Sequence, residues 1–235
     1  MSRVITITDS LITAPANPPM TTAYAKKHIK AISTAEDALV DGWVLAATSY
    51  FEELTGRQIM TATREAWLDA CPDSRGRIEI PKPPLQQIVS VAYVDASGTL
   101  QPSFGDGASP EVLSYAVKAP QGPHAARGWI EPVSGVQWPS TLAESGAVRI
   151  RYRCGYGDTP RSIDASTGAL VAGSPPDLIL SILCFLIGTF DQFRSAVHQQ
   201  DRGTIAEVPY GVKMMIDGFK YSALPSIQMR TATWL

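Results

Sequence analysis

Cysteine, histidine and charge are all scarce in this chain, and each scarcity removes a class of function. Cys71, Cys154 and Cys184 are odd in number, far apart and without a CxxC pair. Neither a zinc site nor a disulfide framework is indicated, and a reducing cytoplasm is the default compartment. His28, His124 and His198 lie in three different segments and share no metal-ligand spacing. No cofactor or metal is expected. Basic residues show no excess: 20 Lys and Arg stand against 22 Asp and Glu, a formal net charge of -2. A sequence-independent nucleic-acid binder needs a basic face, whereas a protein that merely surrounds DNA does not. No long hydrophobic run exists. The most apolar stretch, Leu178 to Ile187, has ten residues with Ser181 inside it, too short to span a bilayer. Met1 to Leu11 contains Asp9 and no continuous apolar core, so no signal peptide is expected.

What is present is a globular composition, 45% hydrophobic and 18% charged over 235 residues. A chain of this size can bury a substantial core as one large domain or two small ones. The low charge has two readings: ordinary variation, or a surface that meets other protein, since interface cores are depleted in charge.

The clearest element runs from Thr34 to Gln58. Thr34 is placed to act as N-cap, and Glu36 and Asp37 put negative charge where the helix dipole favours it. Leu39, Trp43, Ala46, Ala47, Tyr50, Phe51 and Leu54 recur at three- and four-residue steps. Gly56 fits a left-handed C-terminal position, open to glycine without a Cβ penalty. Trp43, Tyr50 and Leu54 are assigned to the core face. Arg57 and Gln58 lead into a β-like run.

The remaining order is helices, β block, helices. Residues 1–20 read as an irregular N-terminal arm in which Val4, Ile5 and Ile7 can add a strand before Pro15, Pro18 and Pro19. Thr21 to Lys30 is a short helix. Period 2 then replaces period 3.6. Strands are expected over Thr61–Leu68, Arg77–Pro81, Ile88–Val94, Val112–Val117, Gly128–Ile130 and Ala147–Arg153. Residues 161–174, rich in Ser, Gly and Ala, read as a loop. Pro175 and Pro176 precede a helix reaching about Val197, and a last helix spans Tyr210 to Tyr221.

The expected fold class is therefore α+β. Residues 21–56 and 175–222 form a helical bundle, and 57–160 form an inserted β-rich block of about six short strands. Residues 161–174 are a loop, with flexible arms at 1–20 and 223–235. The helix from Leu178 has almost no polar face, so it is either central in the bundle or packed against another subunit.

Candidate chemistry is thin. Gly155-Tyr156-Gly157 lacks the further glycine and the following helix of a phosphate loop and reads as a turn leaving a strand. Glu52 and Glu53 point in different directions on a helix and read as solvated residues rather than a catalytic pair. Cys184 lies in the most apolar helix, where a thiolate is costly. Four tryptophans, Trp43, Trp67, Trp129 and Trp138, read as core or turn residues. Trp234 stands in the C-terminal arm and is exposed unless it docks.

Several landmarks occur in a fixed order. They are Glu36-Asp37-Ala38-Leu39, the helix ending Tyr50-Phe-Glu-Glu-Leu-Thr-Gly-Arg-Gln58, and Ile80-Pro-Lys-Pro-Pro-Leu85. Val89-Ser-Val-Ala-Tyr-Val-Asp95 follows, then Trp138-Pro139, Ala147-Val-Arg-Ile-Arg-Tyr-Arg-Cys-Gly-Tyr-Gly-Asp158 and Val208-Pro-Tyr-Gly-Val212. Over residues 21–221 this order resembles the head–tail connector, or adaptor, proteins of long-tailed bacteriophages and gene-transfer particles. Two features depart from that pattern: the longer 161–174 segment and the helix end Phe190-Asp-Gln-Phe-Arg194.

The resemblance implies a structural virion protein, not an enzyme. It implies a ring, typically twelve-fold, beneath the portal protein at the head–tail interface, made in the host cytoplasm. The ring extends the DNA channel, without sequence-specific binding, and docks a stopper or tail-completion protein. No membrane partner is implied. Trp234, Leu235, Met229 and Arg230 are the candidate contacts to portal or to a neighbouring copy. The rival expectations are another neck component, such as a stopper or tail terminator, and a hydrolase with a site in the β block.

Overall fold

The structure, a computed structural model, describes residues 7–31, 33–72, 76–101, 114–142, 144–192 and 210–220. The elements are β1 (Ile7–Thr13), α1 (Thr22–Ile29), α2 (Asp37–Thr55), β2 (Ala62–Leu68), β3 (Ile78–Glu79), β4 (Leu85–Val94) and β5 (Leu100–Gln101). They continue as β6 (Tyr115–Lys118), β7 (Trp129–Pro132), β8 (Val148–Cys154), β9 (Ser162–Ile163), β10 (Leu170–Val171), α3 (Asp177–Gln192) and α4 (Tyr210–Asp217). The class is α+β, and every paired strand is antiparallel.

The chain divides into two units. The β unit contains residues 7–14 and Ala62–Gly155. Its larger sheet has the order β1-β2-β8-β4-β5, and a second sheet has the order β3-β7-β6. Central strand β8 alternates strictly: Val148, Ile150, Tyr152 and Cys154 are buried while Arg149, Arg151 and Arg153 are exposed. This is the period-2 signature of a sheet with one dry face. The dry face joins Ile78, Ile130 and Tyr115 of the smaller sheet in one hydrophobic cluster. Trp138 closes that cluster and donates its indole N–H to the Gly76 carbonyl at 2.6 Å.

Strand β1 comes from the segment read as an arm. It pairs with β2, Ile7 opposite Leu68. A buried polar group holds it there: Asp9 accepts from Tyr152 Oη at 2.6 Å and from Arg64 at 2.6 and 2.8 Å. Val4 and Ile5 lie outside the described residues, as do 112 and 113 of the strand expected over Val112–Val117.

The helical unit contains Pro15–Thr61 and Tyr156–Ser222. Helices α2 and α3 pack on each other, and α1 and α4 each touch both. Helix α1 starts at Thr21, whose side chain accepts from Tyr24 N, and ends at Lys30 in the left-handed conformation. Its last turn carries Lys26, Lys27 and His28, the sign the helix dipole favours at that end.

Helix α2 departs from expectation at its start. Ser33, not Thr34, supplies the capping oxygen, to Ala35 N, and Thr34–Glu36 form a 3-10 turn before the α-helix. The end agrees: Gly56 is left-handed at φ 69° and its N–H bonds the Glu52 carbonyl at 3.0 Å. The core face also differs. Val40, Val44, Ala47, Phe51 and Thr55 are buried, and Trp43, half-buried, packs against the same core as expected, whereas Tyr50 and Leu54 are each 37% exposed.

Helix α3 buries seven residues between Ile179 and Ile187. Arg161 pairs with Asp177 in its first turn. Residues 193–197 lie outside the described part. Helix α4 ends at Asp217, with a turn through Gly218 and Phe219, rather than continuing to Tyr221. The segment 161–174 is not a plain loop: β9 and β10 form a small hairpin within it.

Candidate functional site

The exit of α2 is a densely bonded polar site of the helical unit. Glu52 Oε1 accepts from Gln58 Nε2 at 2.8 Å and from Ile59 N at 2.7 Å. The Thr55 hydroxyl donates to the Phe51 carbonyl at 2.7 Å. Arg57, 2% exposed, donates from Nε to the Phe219 carbonyl at 2.9 Å and from Nη1 to Tyr156 Oη at 3.3 Å. Its guanidinium lies 5.7 Å from the Phe219 ring centroid, and Phe51 meets the same ring edge-on at 5.6 Å. Burial pushes the Tyr156 hydroxyl pKa up, against the opposing effect of the Arg57 charge. This cluster joins the end of α2, the end of α4 and the chain after β8. Glu52 is thus a clasp rather than a solvated residue, and Arg57 and Gln58, which lead toward β2 as expected, are buried anchors.

Among the described residues, the helical unit leaves two apolar surfaces open. One is a second stripe on α2, offset by one residue from the buried one. It comprises Leu39, Ala46, Tyr50 and Leu54, all exposed, with Trp43 half-buried among them. The other is a groove of about 370 Å³ where α1, α3 and α4 meet. Its walls include His28, Phe185, Thr189, Val212 and Met215. His28 meets Phe185 edge-on at 6.1 Å, and Phe185 is 47% exposed. The exposed side of α3 runs through Leu178, Ser181 and Phe185 into this groove.

In the β unit, the solvent face of the larger sheet carries the three β8 arginines. The Arg149 guanidinium sits 4.8 Å from the Trp67 ring, and Arg151 pairs with Glu65 at 2.9 Å. Trp67, expected in the core or a turn, is 38% exposed on this face. Trp138 is buried, and Trp129 is half-buried under Arg77.

Among the described residues, chemically active groups are not gathered. His28 belongs to the helical unit and the exposed His124 to a turn of the β unit, while His198 lies outside the described residues. Among the described residues, no three His, Cys, Asp or Glu side chains converge on a potential metal position. Burial pushes the Cys71 thiol up to about 12 and the Cys184 thiol up to about 11, the opposite of an activated nucleophile. Asp95 and Asp164 are held near 2, first by the side chains of Ser97 and Ser166 and then by backbone N–H donors. Both shape turns: Asp95 accepts from Ser97, Thr99 and Gln101, and Asp164 accepts from Ser166 and Thr167. Gly155-Tyr156-Gly157 is a turn: Gly155 N bonds the Pro84 carbonyl, Tyr156 N bonds Ile59, and Gly157 accepts from Thr61 N. Among the described residues, no helix is long and apolar enough to cross a membrane.

The four contact candidates named from sequence, Met229, Arg230, Trp234 and Leu235, lie outside the described residues. The expected apolar face of the helix from Leu178, central or packed on another subunit, is in part the open side of α3. The α2 surface was hidden by the assignment of Tyr50 and Leu54 to the core, although α2 carries two parallel 3–4 stripes where one core needs only one.

No family model matches this chain, and neither does any curated protein. Five chains of solved structures do. A chain from the neck of an empty gene transfer agent particle, computed with C6 symmetry, superimposes with a TM-score of 0.63 at 16% identity, over 93% of this chain and 97% of that one. A chain from the virion of the native gene transfer agent particle gives 0.60 at 15% identity, over 92% and 97%. A chain from the native neck computed with C12 symmetry gives 0.60 at 16% identity, over 93% and 97%. At this identity the likeness is one of fold, and it extends over nearly the whole of both chains.

Proposed function

We propose that this chain is a structural subunit of a phage-like neck, a head–tail adaptor that forms a ring beneath the portal. The observation carrying the proposal is the fold likeness to particle-neck chains over at least 92% of the sequence. A twelve-fold ring accommodates both symmetries named for those necks, because C6 is a subgroup of C12. Two open apolar surfaces on one helical unit are what a subunit that must bind neighbours requires. Among the described residues, the groups capable of chemistry are dispersed or held in unreactive forms, so a non-enzymatic role accounts for them better than a hydrolase does.

On this reading the helical unit builds the ring, and copies of the chain are its nearest partners. The portal protein lies on one side and a stopper or tail-completion protein on the other. DNA passes along the axis without being read. Residues 223–235, with Met229, Arg230, Trp234 and Leu235, engage the portal or a neighbouring copy. The protein is made in the host cytoplasm and resides in the virion.

Mass measurement of the chain alone and mixed with portal rings tests the proposal. A shift to a mass equal to portal plus about twelve copies is expected; no association with portal in any ratio would refute it. Deleting 223–235 should abolish docking, and unchanged docking would sink the role given to that segment. A second reading, as a stopper or tail terminator, is favoured by the fact that the matching chains are described only as neck or virion components. Electron microscopy distinguishes the two: an adaptor touches the portal directly.

A further inference from the structure

We infer that the repeated ring contact seats the outer α2 stripe of one copy in the α1–α3–α4 groove of the next. The inference rests on the ring reading above and adds the residues that close the ring.

A closed ring built by one repeated contact uses two different, non-overlapping patches on each subunit. The helical unit has such a pair. The stripe is convex and belongs to α2 alone; Leu39 to Leu54 spans about 22 Å at 1.5 Å per residue. The groove is concave, and α2 contributes nothing to its walls. Each is apolar, and among the described residues neither is covered: Leu39, Tyr50 and Leu54 are 44%, 37% and 37% exposed, and Phe185 is 47% exposed.

Charge selects the pairing. From Thr34 to Thr55 the chain carries Glu36, Asp37, Asp41, Glu52 and Glu53 and no Lys or Arg. From Thr22 to Ala31, α1 and its end carry Lys26, Lys27 and Lys30 and no Asp or Glu. Lys26 is engaged with Asp37 of its own copy, and Lys27 with the Gly168 carbonyl. Lys30 is exposed two residues beyond the groove-lining His28. Glu53 is exposed three residues from Tyr50, on the edge of the stripe. An α2-to-α2 contact between copies would face acid with acid. Stripe into groove faces Glu53 with the basic end of α1, and like-charge repulsion argues against the first arrangement while attraction supports the second.

The test uses the full chain, concentrated alone and mixed with portal rings, with mass photometry as the readout. Tyr50→Glu disables the stripe and Phe185→Glu disables the groove; both positions are exposed, so the monomer should keep its circular dichroism and melting temperature. Each variant alone should reduce ring formation at least tenfold. Mixed one to one, they should form a heterodimer that grows no further, because one intact stripe and one intact groove remain. Glu53→Lys should weaken assembly, and adding Lys30→Glu to the same chain should recover it. Rings that persist in either single variant overturn this contact and leave the ring reading standing. Failure of the mixed variants to pair overturns the head-to-tail geometry. A monomer melting temperature lowered by Phe185→Glu assigns the groove to a segment of its own chain and also overturns the contact. If the unaltered chain forms no ring with or without portal, both readings fall together.

Discussion

Replacing Arg57 with methionine should loosen the end of α4, although the two segments are 162 residues apart in sequence. The guanidinium is almost wholly buried and gives Nε to the Phe219 carbonyl at 2.9 Å. Methionine fills much of the same volume and removes the donor. A buried carbonyl left without its partner costs about 1–3 kcal/mol. Loss of the cation–π contact with the Phe219 ring adds roughly 0.5–2 kcal/mol. Against these stands the relief of no longer burying a charge, which is why such replacements can come out close to neutral when every partner is removed together. Here Phe219 and Tyr156 remain, so the net loss should be about 3 kcal/mol. At 1.4 kcal/mol per factor of ten, that is on the order of a hundredfold in the opening equilibrium. Amide hydrogen exchange is the suitable assay, because the chain has two units and need not unfold as one. The amides of Val212, Ile216 and Phe219 should exchange about a hundredfold faster, while those of β8 stay within a factor of three. Equal acceleration in both units, or none in α4, would refute the view that Arg57 acts as a local clasp.

Four further outcomes follow from the packing and the titrating groups. Gly128→Ala should destabilise the β unit by about 2 kcal/mol: a Cβ there would lie 2.4 Å from Leu85 Cδ2 and 2.6 Å from Leu85 Cβ. The urea midpoint followed by tryptophan fluorescence reads this, and an unchanged midpoint refutes the close approach. Asp9→Asn takes the anionic acceptor from Arg64 and Tyr152, so β1 amides should lose about 3 kcal/mol of protection; protection equal to the parent's would show that β1 is held by its ladder alone. Asp95 is depressed to about 2, below its unfolded value. Its contribution is therefore complete above the unfolded pKa near 4 and is lost as pH falls through about 2. Carboxyl carbon chemical shifts should titrate with a midpoint near 2, and a midpoint near 4 contradicts the turn. Cys71 and Cys184, pushed up to about 12 and 11, should resist a thiol reagent at pH 8 until the chain unfolds, and rapid labelling of either would contradict their burial.

The parts legible in the sequence are those decided by residues close together along the chain. Gly56 could be placed because a helix end is a matter of local dihedrals. The strands around Thr61–Leu68 and Ala147–Arg153 could be placed because alternation within seven residues carries the signal. The core face of α2 was not legible for a specific reason. Val40, Val44, Ala47, Phe51 and Thr55 form one 3–4 stripe; Leu39, Trp43, Ala46, Tyr50 and Leu54 form another, one residue out of phase. Periodicity weighs the two equally, and larger apolar side chains favour the second. Only tertiary packing decides, and α3 takes the first. The same limit hid Arg57, whose partners Tyr156 and Phe219 come from distant segments, and β1, whose anchor Asp9 needs Arg64 and Tyr152. The hairpin of β9 and β10 escaped because two-residue strands have no period to read. These failures point one way. A surface helix packed on one core needs a single apolar stripe, so a helix that offers two is ambiguous to periodicity alone. On the ring contact proposed above, the rejected stripe of α2 is the surface offered to a neighbouring copy, and Tyr50 and Leu54 belong to that surface rather than to the core.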